Sequence, residues 1–513
     1  MGMDLRQDTV SLRQMVGRTC SQAVVEGEVA LPDDRPDMER MLLCDARMVV
    51  SSVELLQNKV MVNGTVTFSN VYLSTQGRVE CMTNTFGFSH SVDVEGAAPK
   101  MMVRVAPVIE HIQCERLSGR RGTVQAVVNL CVMVWNPKQV QFYVPGGDAE
   151  VEVATQPMKW PSYISEGSTH AVIREEMELS AAQPPADTVL LSKIHCKDLM
   201  PVTLDGRVEA QGEMVLQAAY ATGDEEVPVA ETEQNIPIQV AVDIPEAREG
   251  QQAEMWIEVE DIYIQPLENA AGERTILRAE ISIKAQACLW DQVESDVVTD
   301  AYSPAHMTQP VYNTYTVEQP AASQQQTVMV KAELMAPASS PPMGRVLEVK
   351  VLPSVTSAQK ENGQLTVDGV LEGEVLYLPS DSSGLSSFVA QAPFRLELPE
   401  GEELTDQRLL VDHVSQSLIA PDSLEVRAAM SLDVETQRPD QYQVLTDLEV
   451  SEDEPERVTG MIIHFAKDGE TVWDIAKNYY IAQDEVLHYN PELPEHLTEG
   501  ERVILYLRKD QSA

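Results

Sequence analysis

From about residue 21 onward the chain alternates apolar and polar positions in short runs bounded by Gly, Pro and Asp. Val60-Met61-Val62-Asn63-Gly64-Thr65-Val66-Thr67-Phe68 and Ile236-Pro237-Ile238-Gln239-Val240-Ala241-Val242 are examples. A period of two puts every second side chain on one face, so these runs predict strands with one buried face. Residues 1–20 are polar with scattered apolar positions and predict a short helix or a disordered arm. The last fifty residues change pattern. Ile463-His464-Phe465-Ala466 is a short strand ending at Asp468-Gly469, and Thr471 is placed to cap a helix carrying Val472, Ile475, Ala476 and Tyr479 at helical spacing. Asp484 is placed to cap a second helix that ends at Asn490-Pro491, and Arg502–Leu507 reads as a final strand. The tail is therefore expected to be strand, helix, helix, strand.

Comparing the chain with itself exposes a triplication. Glu28, Pro36, Leu42, Gly64 and Tyr72 recur at a shift of 148 as Glu176, Pro184, Leu190, Gly212 and Tyr220, and at a shift of 305 as Glu333, Pro341, Leu347, Gly369 and Tyr377. Further on, Gln125–Leu130 matches Arg278–Ile283 and Arg427–Leu432. The fold class that follows is mainly β: three tandem β-rich repeat domains and a small βααβ module. The divisions are an arm (1–20), repeat 1 (21–136), a linker (137–172), repeat 2 (173–290), a linker (291–327), repeat 3 (328–435), an acidic linker (436–458) and the terminal module (459–508). Glu318–Gln326 reads as flexible, and Ser451-Glu452-Asp453-Glu454-Pro455-Glu456 as a solvated tether. The glycine inside a strand predicts a bulge or a close backbone approach. The tyrosine eight residues on shares its face and is expected in the core with its hydroxyl at the rim.

Charge narrows the partners. The net charge is −44 with no Lys/Arg cluster, which argues against nucleic acid, since such binding needs positive charge to displace counterions. It equally disfavours an anionic membrane surface. The acidity fits solubility at high copy number; a basic partner surface is the sharper alternative. No apolar run approaches the roughly 18 residues of a membrane span, and no signal peptide is visible. Seven cysteines without a Cys-x-x-Cys pair argue against a disulfide framework or a zinc site and for a reducing compartment.

Catalytic patterns are missing. There is no Gly-x-Ser-x-Gly, His-Glu-x-x-His, Walker loop or Gly-x-Gly-x-x-Gly, and the nine histidines are dispersed. His195-Cys196 is the closest His–Cys pair, but neighbours on a strand point to opposite faces. The expectation is a non-enzymatic chain with no cofactor and no metal.

Two resemblances give this a direction. The tail, on Gly469-Glu470-Thr471-Val472-Trp473-x-Ile475-Ala476, Leu487-x-x-Asn490-Pro491 and Gly500-x-x-Val503, resembles a LysM module. His464, Ala466 and Glu470 stand where that family commonly has Tyr, Val and Asp. LysM modules typically bind N-acetylglucosamine glycans such as peptidoglycan or chitin in a shallow groove. The resemblance places that groove at Gly469, Glu470, Thr471 and Val472 and at Asn490, Pro491, Glu492 and Leu493, the expected contact for a protein partner and for a glycan alike. The stretch Leu31-Pro32-x3-Pro36-Asp37-Met38-x2-Met41-Leu42, with Val60-x-Val62-x-Gly64 and Tyr72, resembles a SPOCS domain; Val298–Pro304 is also similar to such chains. Three SPOCS-like repeats with one terminal LysM resemble the SipL-like spore coat morphogenetic family. That resemblance implies a scaffold in the mother cell cytoplasm, at the forespore surface, which couples a coat basement-layer ATPase to coat encasement through the LysM module. A peptidoglycan-binding wall protein is the alternative, and a hydrolase with an unrecognised site the third reading. Common to the first two is a tail that acts as a self-standing docking unit held off by the β body.

Overall fold

The computed structural model describes residues 6–146, 151–224, 226–318, 323–381, 384–398, 403–435, 439–451, 455, 459–494 and 496–507. Repeat 1 is six strands: β1 (Arg6–Ala30), β2 (Met38–Leu56), β3 (Lys59–Ser74), β4 (Val79–Asp93), β5 (Met102–Arg116) and β6 (Arg121–Val144). Strands β2-β3-β4 form one antiparallel sheet and β1-β6-β5 a second. Repeat 2 repeats the plan with β7 (Glu152–Glu178), β8 (Thr188–Leu204), β9 (Arg207–Ala221), β10 (Val229–Asp243), β11 (Gln252–Leu267) and β12 (Ile276–Tyr302), in sheets β8-β9-β10 and β7-β12-β11. After β13 (Thr308–Val317), repeat 3 follows as β14 (Ser323–Met335), β15 (Met343–Glu361), β16 (Gln364–Pro379), β17 (Ser386–Leu398), β18 (Glu403–Ala420) and β19 (Ser423–Glu435), and then β20 (Asp440–Val450). The alternation is carried into burial: Val60, Val62, Val66 and Phe68 of β3 are buried between the sheets, while Met61, Asn63, Thr65 and Thr67 are not.

The recurring residues have physical roles. Opposite Gly64, Gly212 and Gly369 the partner strand bulges, between Val50 and Ser52, Lys197 and Met200, and Val355 and Ser357. A Cβ at Gly64 would strike the Val49 carbonyl and the Phe88 ring; one at Gly369 would strike the Ser354 carbonyl and the Phe394 ring. Glycine is what lets the strand cross the bulge. Tyr72, Tyr220 and Tyr377 are fully buried. In repeats 2 and 3 the phenol donates to the carbonyl of the recurring proline, Tyr220 to Pro184 at 3.2 Å and Tyr377 to Pro341 at 2.8 Å. In these two repeats one hydrogen bond joins the recurring proline and tyrosine, while the Tyr72 hydroxyl of repeat 1 makes no such bond.

The stretches read as arm and linkers differ most from expectation. Residues 6–20 are strand, neither helix nor disordered arm. Arg6–Met15 pair with Trp135–Val144, Glu152–Ser162 with Asp291–Tyr302, and β13 with β20. Residues 323–326, expected flexible, begin β14, and most of the acidic stretch 451–456 lies outside the described residues. Three two-stranded ribbons result. They pack around one apolar cluster that includes Val10, Leu12, Phe142, Trp160, Val297, Tyr315 and Val444. Trp160 is fully buried, stacked on Phe142 with centroids 5.2 Å apart and met edge-on by Tyr442 at 5.0 Å. A lone two-stranded ribbon is marginal in water; three sharing a core are not. Pro157 and Pro161, which mask the strand pattern, sit on edge strand β7, where no ladder amide is needed.

At the other end, equivalent residues of all three repeats meet. Leu42, Leu190 and Leu347 share a cluster with Leu43 and Leu191 and with Val71, Ala219 and Leu376, which are related by the same two shifts. The repeats therefore surround a pseudo-threefold axis. Between them the contacts run head to tail. Arg47 of repeat 1 reaches Asp261 of repeat 2 at 2.6 Å. From repeat 2, Lys193 Nζ donates to the Val411 carbonyl at 3.1 Å and Gln217 Nε2 to the Asp412 carbonyl at 3.0 Å. Glu372 of repeat 3 meets His111 of repeat 1 at 3.0 Å. Such heterologous contacts close into a ring when the rotation is a third of a turn. The closing interface also holds Lys350, with Nζ 3.3 Å from both Asp45 and Glu374 and donating to the Cys44 carbonyl. Burial alone would lower the Lys350 ammonium, but the two carboxylates outweigh it and raise it.

The cysteines also depart from the expectation that they form no disulfide framework. Cys20 faces Cys131 directly across β1 and β6, with sulfurs bonded at 2.04 Å, and Cys44 is bonded to Cys114 between the two sheets of repeat 1. Cys81, Cys196 and Cys288 are free among the described residues. The Cys20–Cys131 pairing spans 111 residues, so only strand register could reveal it.

If the ribbons form one core, Trp160→Ala removes a large side chain from it. The expected cost is about 3–5 kcal/mol, read as a lowered urea midpoint. A residue in a solvated linker would change stability by less than about 0.5 kcal/mol.

Candidate functional site

The C-terminal module is β21 (Gly460–Phe465), α1 (Val472–Tyr479), α2 (Gln483–Tyr489) and β22 (Arg502–Leu507), with β21 and β22 antiparallel. Thr471 caps α1 in a capping box: Asp474 N–H donates to Thr471 Oγ1 at 3.1 Å, and Thr471 N–H to Asp474 Oδ2 at 2.9 Å. The start of α2 differs from expectation. Its N-cap is Ala482, and Asp484 lies in the first turn, where a carboxylate favours the helix dipole. Ala466, Val472, Ile475, Ala476, Val486, Leu497, Val503 and Leu505 form the core.

That core is completed from outside the module. Tyr302, the last residue of β12, is 1% exposed and lies within it. Its ring meets Trp473 edge-on at 4.9 Å, and its hydroxyl donates to the Ile481 carbonyl at 2.8 Å. Two residues earlier, Asp300 accepts from Lys477 Nζ at 2.6 and 2.7 Å, from Trp473 Nε1 at 2.9 Å and from the Tyr312 hydroxyl at 2.7 Å. Burial would raise the Asp300 carboxyl, but these donors outweigh it and hold it below the usual aspartate value. The tail is thus docked on the second ribbon. This corrects the expectation of a unit held at a distance, and the docking segment is the Val298–Pro304 stretch singled out in the sequence.

The expected groove residues divide into two groups. Gly469, at φ 79°, is exposed, as are Pro491 and Glu492. The others serve the module itself. Val472 is buried and Leu493 packs on the core. Asn490 ties the end of α2 to the last strand: Nδ2 donates to the Val486 and Ile504 carbonyls at 2.9 and 2.7 Å, and Oδ1 accepts from Ile504 N–H at 2.9 Å. Glu470 accepts from Lys467 N–H at 2.9 Å and lies 2.9 Å from His464 Nε2. Its burial raises the carboxyl, but His464 and the Lys467 amide outweigh that and lower it. His464 and Glu470, two of the departures from the LysM pattern, are therefore each other's partners. Trp473 lines neither loop; it faces Asp300 and Tyr302.

A surface that periodicity did not single out lies on the sheet of the module. Met461, Ile463 and Phe465 of β21 and Ile504 and Tyr506 of β22 are between 38% and 61% exposed. Met461 stands opposite Tyr506 and Ile463 opposite Ile504, so the five form one continuous face. The outer face of a small sheet is ordinarily polar; a contiguous apolar one marks a contact surface. Its signal was present in the run Met461-Ile462-Ile463-His464-Phe465, which lacks polar residues at the outward positions.

Elsewhere chemistry is sparse. No cluster of three or more His, Cys, Asp or Glu able to hold a metal occurs among the described residues. His195 is buried 3.9 Å from Asp412, its imidazole lowered by desolvation, and burial pushes the adjacent Cys196 thiol up to about 12. No helix among the described residues is long and apolar enough to cross a membrane.

Asp300→Ala should release the module. Removing one partner of a partly buried hydrogen-bonded pair costs about 1–3 kcal/mol, seen as faster hydrogen exchange in α1 with repeat 3 unchanged. A carboxyl lowered by folding stabilises above its unfolded value of about 4 and loses that contribution as pH falls through the lower folded value. In the intact chain, docking should hold at neutral pH and weaken only below about pH 4.

No curated protein and no solved structure matches the chain. A family model does, that of the SipL, SPOCS domain, over residues 37–117 and 186–267. These are β2–β5 of repeat 1 and β8–β11 of repeat 2, the same four strands in each. This match supports a SipL-like family for the chain.

Proposed function

We propose that the chain is a non-catalytic scaffold for spore coat assembly and encasement, with its C-terminal module acting as a LysM-like recruiter of a coat basement-layer ATPase. The observation that carries this reading is the apolar face Met461/Ile463/Phe465/Ile504/Tyr506, which stays open while the opposite side of the module is clamped by Asp300 and Tyr302. A module fixed on one side and apolar on the other is suited to holding a protein partner in one orientation. The SPOCS match over two repeats suggests a sporulation-related protein, which fits a place in the mother cell at the forespore surface.

A second reading keeps the module as a binder of N-acetylglucosamine glycan. Its support is the exposure of Gly469, Pro491 and Glu492 beside Glu470, Thr471, Val472, Asn490 and Leu493. The two use different surfaces and can be separated. Phe465→Ser with Tyr506→Ser should abolish capture of the ATPase from sporulating cells and leave the melting curve intact, whereas Glu492→Ala should not. Saturable binding of chitin oligomers by the full chain, lost in Gly469→Val, would decide for the glycan. Deletion of residues 459–513 with coat localisation intact would overturn recruitment through the module.

A further inference from the structure

The small sheet of the C-terminal module has one closed edge and one open edge. On the outer side of β22 the Asn490 side chain holds the backbone of Ile504, Oδ1 accepting its N–H at 2.9 Å and Nδ2 donating to its carbonyl at 2.7 Å. In an antiparallel pair, facing residues alternate between those that exchange hydrogen bonds and those that do not. Ile504 commits both groups to Asn490, so Ile463, which faces it, turns its own N–H and carbonyl away from β22. Met461 and Phe465, two residues to either side, do the same. The Ala466 N–H, which donates to the Glu501 carbonyl at 2.9 Å, keeps the same alternation.

Nothing occupies that outward backbone. Among the described residues no strand other than β22 pairs with β21, and no loop or side chain caps Met461, Ile463 or Phe465. The same three residues carry the exposed apolar side chains of the strand. Edge strands are normally blunted by proline, charge or a bulge. Other edge strands of this chain carry proline: Pro157 and Pro161 in β7, Pro237 in β10 and Pro393 in β17. Between Met461 and Phe465 there is no proline and no bulge, and His464 turns to the opposite face, toward Glu470 and Tyr479. One charge stands on the apolar face. Arg502 lies directly opposite Phe465, is exposed, and has no carboxylate within ion-pair distance among the described residues. In a chain whose net charge is −44, a cation without a counter-ion beside an apolar strip points to an acidic group brought by a partner.

We propose that the open edge of β21 accepts a β-strand from the protein partner, a segment with apolar residues at alternate positions and a carboxylate at the end that meets Arg502. The inference rests on recruitment of a protein through this module and adds how that protein is held. Main-chain hydrogen bonds to Met461, Ile463 and Phe465 supply affinity, and apolar side chains lying beside theirs supply the choice of partner. A second copy of this chain fits less well. Another β21 has no carboxylate to offer Arg502, and two chains of charge −44 repel each other.

The test is titration of the purified coat basement-layer ATPase into the full chain, with residue-resolved hydrogen exchange of the free and bound states. The Ile463 and Phe465 amides should exchange about tenfold or more slowly in the complex, while those of Ile462 and His464, already bonded to β22, change less. Ile463→Pro removes the outward N–H without touching the ladder to β22. It should weaken binding about tenfold or more with an unchanged melting curve. Ile463→Ala, which shortens the side chain but keeps the N–H, should cost less, and Arg502→Glu should weaken binding most at low salt. If Ile463→Pro fails to fold, exchange in the unaltered protein decides. Parent affinity in Ile463→Pro, or no slowing at Ile463 and Phe465, would overturn strand addition; loss of binding in Phe465→Ser with Tyr506→Ser would then leave recruitment through the apolar face standing. Parent affinity in both variants, or no binding by the parent, would overturn recruitment through the module itself. Dimerisation of the chain alone in sedimentation, abolished by Ile463→Pro, would overturn the assignment to a partner in favour of a second copy.

Discussion

A two-stranded ribbon has too little surface to bury on its own, and that limit shapes the whole chain. Each repeat extends its first and last strands beyond the two-sheet body, or places a separate pair there, and so creates an apolar face that nothing within the repeat can cover. Three such faces cover one another around Trp160. At the opposite end Leu42, Leu190 and Leu347 do the same for the meander sheets. The repeats are thus not beads on a string. Their head-to-tail contacts, Arg47 to Asp261, Lys193 to Val411 and Glu372 to His111, bring the third back to the first.

What could be read in the sequence follows the range of each interaction. Strand alternation is local, so the β class and the triplication were legible, and so was the close approach at Gly64, Gly212 and Gly369. Proline–tyrosine coupling was half legible: the anchors were visible, but not the bond across 36 residues that joins Tyr377 to Pro341. The ribbons were not legible. Their strands pair over more than a hundred residues, as Thr9 does with Gln141, and Pro157, Pro161 and Pro310 break the local pattern. The Cys20–Cys131 pair, 111 residues apart, escaped for the same reason.

The module shows the same division. Its element order and the Thr471 cap were local and legible. The partner of Trp473 was not, because Asp300 lies 173 residues away in sequence. Five of the eight expected groove residues turned out to be engaged in the module's own architecture, and the outward apolar face of β21 and β22 is a better candidate contact than spacing alone could indicate.

The order in which the ribbons are made has a consequence for biogenesis. Strand β7, with Trp160, leaves the ribosome long before β20 can arrive to complete its packing, so the nascent chain carries an uncovered aromatic seam through most of its translation. The module follows all three ribbons in the chain and fastens to Asp300 and Tyr302, on the second of them. The seat of the tail is thus supplied by the body: without the ribbon that carries Asp300 and Tyr302 the module would lose the residues that fix its orientation.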